Sequence, residues 1–248
     1  KPIEEYKGNK DNLLFVHHSM GMNCFDKIIG FPDRKALIYH NITPEHFFED
    51  EGLKKAIRKG LWQAKEYRKY VEYSIADSNY NRKELLGMGY ENVDVMPIQI
   101  SLDRFDHVLS EASVLEDHEK YKNIIFVGRV VPNKCQKDIL HAFAVYNNFY
   151  NVDSRLFIVG DDGMEGYVNE LKEISRDYAM EDKVFFTGKV SEEELKAYYE
   201  MADLFLCMSE HEGFGVPLLE AMKMGVPVIS YRSSAIPETM NGAGVLVN

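Results

Sequence analysis

Residues 209–230 read S-E-H-E-G-F-G-V-P-L-L-E-A-M-K-M-G-V-P-V-I-S, preceded by an apolar run over 204–208. A second apolar run, 226–229, closes the stretch, so the pattern is strand, glycine-rich turn, helix, strand. Gly213 and Gly215 bracket Phe214, which lets the chain turn sharply and bring its backbone against a ligand. Pro217 falls in the first turn of the expected helix, where a missing N–H costs nothing.

The unpaired N–H groups and positive dipole end of such a helix make 213–218 a seat for a phosphate. Glu212 and Glu220 flank that seat. Carboxylates repel phosphate, so the task that suits them is accepting hydrogen bonds from hydroxyl groups beside it. Phosphates in the middle with hydroxyls on both sides describe a nucleotide sugar. Taken singly, Glu212 also fits a turn residue and Glu220 a solvated helix position. Their joint spacing with Gly-Phe-Gly and Pro217 is the more specific signal.

Outward from this stretch the second half is regular. Apolar runs at 124–127, 156–159, 184–186, 204–207, 226–229 and 245–247 alternate with helical patterns, notably over 137–150 and 164–178. Strands alternating with helices imply an α/β domain with a parallel, doubly wound sheet. The first half is less regular: strands are expected at 13–16, 36–39, 73–78 and 93–98, and helices over 51–73 and 81–88. Residues 103–120 are charged and patternless, and the interdomain linker is expected there.

The run E-H-E-G-F-G-V-P-L-L-E-A-M resembles the Glu, seven residues, Glu signature of the retaining glycosyltransferases of family 4, which have the GT-B fold. The resemblance weakens toward the N-terminus and spans about 12–248. It implies two Rossmann-like doubly wound domains facing a cleft: an incomplete acceptor-side domain over 1–115 and a nucleotide-sugar-binding domain over 120–248. The implied activity is transfer of a mannose- or glucose-type sugar from a UDP or GDP donor to a saccharide or lipid-linked acceptor hydroxyl, with retention. Surface polysaccharide or glycolipid synthesis is the implied setting.

After the strand ending at Val127 come Gly128, Arg129 and, five positions past that arginine, Lys134. A strand-end glycine admits a ligand to the backbone, and two cations in one loop grip a diphosphate. The resemblance makes them the groups that stabilise charge on the departing diphosphate. Two surface cations in a loop are the plain alternative. The family commonly has Gly after that lysine, and Cys135 stands there instead.

The resemblance also gives Glu220 the ribose hydroxyls, Glu212 the sugar hydroxyls, and the amides of Gly213, Phe214, Gly215 and Val216 the diphosphate. Val190, after Thr187-Gly188-Lys189, matches the base-binding edge. His40, at the end of the second strand, resembles the histidine that family members set near acceptor and leaving group; a strand-end histidine capping backbone groups is the alternative. His17 and His18 are adjacent on a strand and point opposite ways, so at most one of them lines a cleft. Asp161 and Asp162 suit a helix cap better than a metal site. With Arg129 and Lys134 present, no metal and no cofactor is required.

The chain has 248 residues, 45% of them hydrophobic, enough for one large core or two small ones. Its formal charge of -11 gives no broad basic excess to displace counterions, which argues against nucleic acid as principal partner. Cys24, Cys135 and Cys207 are far apart and lack metal spacing, which points to a reducing, cytoplasmic setting. No apolar run reaches the ~20 residues of a bilayer span. The helix over 51–73 carries Lys54, Lys55, Arg58, Lys59, Lys65, Arg68 and Lys69, a candidate for peripheral contact at the inner face of a membrane or simply a solvated face.

Three rival readings follow from the same residues. A glycoside hydrolase using Glu212 and Glu220 leaves Arg129 and Lys134 without work. A sugar-nucleotide epimerase on the same fold needs no acceptor. A non-catalytic nucleotide-sugar-binding fragment fits a chain short at both ends of the family pattern.

Overall fold

The computed structural model describes residues 2–116 and 118–248. Contacts divide the chain into two units, Lys1–Ile98 with Glu212–Phe214, and Gln99–His211 with Gly215–Asn248.

The first unit runs β1 (Leu13–His18), α1 (Phe25–Gly30), β2 (Arg34–Tyr39), α2 (Glu51–Tyr67), β3 (Tyr73–Ala76), α3 (Asn79–Gly87) and β4 (Asp94–Val95). The strands are all parallel and lie in the order β1-β2-β3-β4. Right-handed crossovers that always advance the same way set their helices on one face. That face is the core: Val16, Leu37, Tyr39 and Ala76 pack with Phe25, Ile57, Tyr67 and Leu85. Period-two alternation then sends the other parity of β1 outward, and Phe15 and His17 are exposed.

The second unit runs β5 (Lys122–Val127), α4 (Gln136–Phe149), β6 (Ser154–Val159), α5 (Glu165–Asp177), β7 (Val184–Gly188), α6 (Glu192–Met201), β8 (Leu204–Cys207), α7 (Val216–Lys223), β9 (Val228–Tyr231), α8 (Ile236–Met240) and β10 (Val245–Val247). All pairings are parallel, in the order β10-β9-β8-β5-β6-β7. The chain therefore winds outward from β5 in one direction and from β8 in the other. This is the doubly wound sheet expected from the apolar runs, and its direction reverses between β5 and β8.

By the handedness rule α4 and α5 cover one face and α6, α7 and α8 the other. The part of the first face over β8, β9 and β10 stays open as an apolar groove of about 540 Å³, lined by Phe143, Tyr146, Leu206, Met208 and Val247 among others.

Several boundaries differ from the sequence expectation. The helix expected over 51–73 ends at Tyr67, where the N–H groups of Lys69 and Tyr70 bond three residues back, to the Glu66 and Tyr67 carbonyls, and tighten the chain into a turn before Tyr73 enters the sheet. The strand expected over 93–98 pairs only at Asp94–Val95. The stretch expected as a linker over 103–120 is packed on the second unit: Leu102–His107 forms a 3-10 helix, Phe105 is buried in that unit's core, and Lys196 Nζ donates to the Val108 carbonyl at 2.7 Å. Asp161 and Asp162 do not cap α5, whose N-cap is Met164; Asp161 instead accepts from the Gly163 N–H at 3.1 Å. Backbone hydrogen bonding and an ion pair with Lys189 hold the Asp161 carboxyl below its usual range.

Candidate functional site

Ligands of doubly wound sheets bind at the carboxyl ends of the strands where the winding reverses. In the second unit that point lies between β5 and β8, which are hydrogen-bonded neighbours. The two loops leaving these strands are the ones that carry Gly128, Arg129 and Lys134 on one side and residues 208–211 on the other.

Asn133 ties the loops together. Its side-chain amide donates to the His211 carbonyl at 3.1 Å, and its backbone carbonyl accepts from the Glu210 N–H at 3.0 Å. Ser233, after β9, donates to the Ser209 carbonyl at 2.5 Å. Arg129 is exposed and Lys134 half-buried. Cys135, next in line, takes the left-handed conformation at φ 52° and ψ 44° and forms the N-cap of α4. Its thiol is buried, which pushes its pKa up to about 11, so it packs as a small hydrophobe.

The turn into α7 follows the sequence expectation. Gly215 is the N-cap at φ 91°, a conformation that favours glycine, Val216 opens the helix, and Pro217 sits in its first turn. Glu220 is no solvated helix position: it is 4% exposed and both carboxylate oxygens are engaged. Tyr199 OH on α6 donates to Oε2 at 2.8 Å, and Arg104 Nη2 donates to Oε1 at 2.5 Å. Burial and the adjacent Glu220 charge keep the Tyr199 hydroxyl protonated. Each oxygen retains a second lone pair, so the carboxylate is fixed in place with acceptor capacity to spare. Val190 is half-buried beyond β7, the edge strand two places from β5.

In the first unit the strand ends gather polar side chains as well. Glu212, Gly213 and Phe214 group here by contact. The Gly213 carbonyl accepts from Ser78 Oγ at 2.9 Å and from Asn81 Nδ2 at 3.2 Å. A Cβ on Gly213 would meet Asn41 Cβ at 2.8 Å and the His40 carbonyl at 2.9 Å, so only glycine fits. Asn41 also donates to Glu84 Oε2 at 2.7 Å, and burial pushes the Glu84 carboxyl up to about 7.

His40 has both ring nitrogens occupied. Nδ1 bonds Asp77 Oδ2 at 2.8 Å, and Nε2 bonds His17 Nδ1 at 2.7 Å. The hydrogen bond to Asp77 holds the His40 pKa above its ordinary value, against the opposing effect of burial. The adjacent histidines do diverge: His18 is fully buried, bonds the Gly60 carbonyl through Nε2 at 2.8 Å, and has its pKa pushed down by burial.

Sequence reading alone passed over Asn133, Tyr199, Arg104 and Asp77. Asp77 had a usable signal, since it follows β3 just as His40 follows β2. Tyr199 and Arg104 had none, being set by helix packing between distant segments. Among the described residues, no group of three or more His, Cys, Asp or Glu is arranged to hold a metal ion.

Comparisons with known proteins bear on this geometry. The chain is 36% identical over 237 residues to the N-acetyl-alpha-D-glucosaminyl L-malate synthase of Bacillus anthracis, covering 92% of this chain and 58% of that protein. It is 29% identical over 171 residues to a GDP-mannose-dependent alpha-(1-6)-phosphatidylinositol monomannoside mannosyltransferase of Mycobacterium tuberculosis, covering 63% of this chain and 43% of that one. It thus spans about half the length of these curated relatives. The structure of HepE from Anabaena in complex with UDP superposes with a TM-score of 0.74 at 18% identity, over 96% of this chain and 65% of HepE, and shows the GT-B class of fold. The family model for glycosyl transferases group 1 matches residues 110–247, more than half of the sequence, and the chain belongs to that family.

Proposed function

We propose that the protein is a retaining glycosyltransferase that moves a mannose- or glucose-type sugar from a nucleotide diphosphate donor to an acceptor hydroxyl. The observation that carries this reading is the pair of loops at the winding reversal, β5 to α4 and β8 to α7, cross-linked by Asn133. In this reading Arg129 and Lys134 bind the donor diphosphate, assisted by Gly128 and the amides of Gly213, Phe214, Gly215 and Val216. Glu220 takes the ribose hydroxyls, Glu212 the sugar hydroxyls, and Val190 lines the base. Catalysis is by preorganised positive charge at the leaving group, with no enzyme nucleophile.

The relatives' names support both the donor and the acceptor class. A GDP-mannose-dependent enzyme acting on a phosphatidylinositol glycolipid and an O-antigen chain mannosyltransferase of Escherichia coli are among them, and HepE carries UDP. The reading is tested by calorimetric titration of the chain with UDP, GDP, UDP-glucose and GDP-mannose without added metal. One nucleotide and its sugar conjugate are expected to bind; a folded chain that binds none of them contradicts the reading.

A finer reading concerns the acceptor. No helix among the described residues is long and apolar enough to cross a membrane, but α2 has the makings of a surface contact. Its exposed face carries Lys55, Arg58, Lys59 and Lys65 around Trp62, which is 53% exposed. An aromatic anchor amid cations suits an anionic lipid surface and a lipid-linked acceptor. Co-sedimentation with phosphatidylglycerol vesicles, lost in a Lys55→Glu, Lys59→Glu, Trp62→Ala variant and absent with phosphatidylcholine, is the expected result. Equal sedimentation of variant and wild type removes the proposal.

A further inference from the structure

Asp161 and Asp162, the adjacent carboxylates after β6, are placed differently. Asp161 is engaged: it accepts from the Gly163 N–H at 3.1 Å and pairs with Lys189 Nζ, beyond β7, at 3.2 Å. Asp162 is half-buried, and among the described residues no hydrogen bond or ion pair holds its carboxylate. It stands over the end of β7, since a Cβ on Gly188 would lie 3.5 Å from Asp162 Oδ1.

Three neighbouring strands end here without side chains. The Gly128 N–H donates to the Val159 carbonyl at 2.9 Å, and the Gly160 N–H to the Gly188 carbonyl at 3.1 Å. Gly128, Gly160 and Gly188 therefore adjoin one another across the ends of β5, β6 and β7. A Cβ on Gly160 would run into the Gly128 carbonyl, so the ledge they form is necessarily bare backbone. It spans two inter-strand spacings, about 10 Å. Such a ledge at the carboxyl ends of parallel strands admits a flat ligand closely.

The ledge is continuous with the loop of Arg129. The Val130 N–H donates to the Asp161 carbonyl at 2.8 Å. The Gly163 N–H, Lys189 and the Arg129 charge together hold the Asp161 carboxyl below its usual range. All of these residues belong to the second unit.

We propose, on the basis of the transferase reading above, that the donor's nucleoside lies on this ledge, that its base is guanine, and that Asp162 is the specificity-determining residue that selects it.

The hydrogen-bonding edges of the bases decide between them. Guanine presents two adjacent donors, N1–H and the N2 amino group, and a carboxylate accepts both at once, one on each oxygen. Uracil presents one donor, N3–H, between two carbonyl oxygens. A carboxylate that accepts from it also sets an oxygen against a carbonyl. The missing second bond and that repulsion together make the discrimination. Asp162→Asn inverts the match: the amide accepts from uracil N3–H through Oδ1 and donates to the neighbouring uracil carbonyl through Nδ2.

The test is calorimetric titration of the full chain with GDP, IDP and UDP, on wild type and on Asp162→Asn. Wild type is expected to bind GDP about 10-fold or more tightly than UDP, and about 10-fold more tightly than IDP, which lacks the N2 amino group. In Asp162→Asn the preference for GDP over UDP is expected to vanish or reverse. A role for Asp162 in holding ribose, which all three nucleotides share, or in shaping the turn alone leaves every ratio unchanged.

A wild type that prefers UDP, or that binds GDP and IDP equally, overturns the proposal and leaves the transferase reading standing. So does a GDP-to-UDP ratio that survives Asp162→Asn. A folded wild type that binds none of the three nucleotides overturns both. The comparison of GDP with IDP needs no variant, so the outcome does not depend on the folding of Asp162→Asn.

Discussion

Cys135 occupies a backbone conformation that side chains resist, with φ at 52° and ψ at 44°. A left-handed residue other than glycine costs roughly 1–2 kcal/mol, and the family pattern commonly has glycine here. Comparing Cys135→Gly with Cys135→Ala isolates that cost, because both remove the buried thiol. The glycine variant is expected to be the more stable by about 1 kcal/mol in thermal or urea unfolding; equal stability would show that the loop relaxes without strain. Single residues divide sharply in how legible they were. Arg129, Lys134, Glu212 and Glu220 stood out as candidates because motif spacing is a property of the chain alone. The clamp on Glu220 did not, since Tyr199 and Arg104 lie 21 and 116 positions away in sequence and meet it only after folding.

At the scale of elements, α2 shows how packing overrides propensity. Gly60 lies within this helix, and replacing an exposed helical glycine by alanine ordinarily gains about 1 kcal/mol. Here a Cβ would stand 2.7 Å from Gly21 N and 3.0 Å from Met20 C, because the segment following β1 crosses the helix at this glycine. Overpacking against backbone costs roughly 1–3 kcal/mol, so Gly60→Ala is expected to lower stability, and a variant that melts higher than wild type would contradict the packing. The same crossing brings the Gly60 carbonyl to His18. In the sequence Gly60 looks only like a weak helix position, since its partner is 39 residues away. The strands of the second unit were legible because central parallel strands, covered on both faces, read as unbroken apolar runs. β4 was not, because two paired residues leave almost no periodic trace.

At the scale of the whole molecule the two units have separate cores, and their division at Ile98 and Gln99 was hidden from the sequence. Residues 103–120 carry no period, yet one buried residue, Phe105, anchors this segment on the second unit, and ion pairs of Arg104 with Glu192 and Glu220 and of Lys223 with Asp103 and Asp106 reinforce it. The doubly wound order was legible in outline, and the point of reversal was not: alternation of strand and helix gives the class, while the spatial order depends on pairing. That reversal concentrates the proposed donor chemistry in two loops of the second unit.

The direct test is calorimetric titration with UDP and GDP on wild type, Arg129→Ala and Glu220→Gln, each checked for folding by circular dichroism. The account predicts that one nucleotide binds wild type without metal and that both substitutions weaken it by about tenfold or more, the loss of a charge-assisted hydrogen bond being roughly 1.5–3 kcal/mol. Binding unchanged by both substitutions, or no binding by a folded wild type, would contradict it.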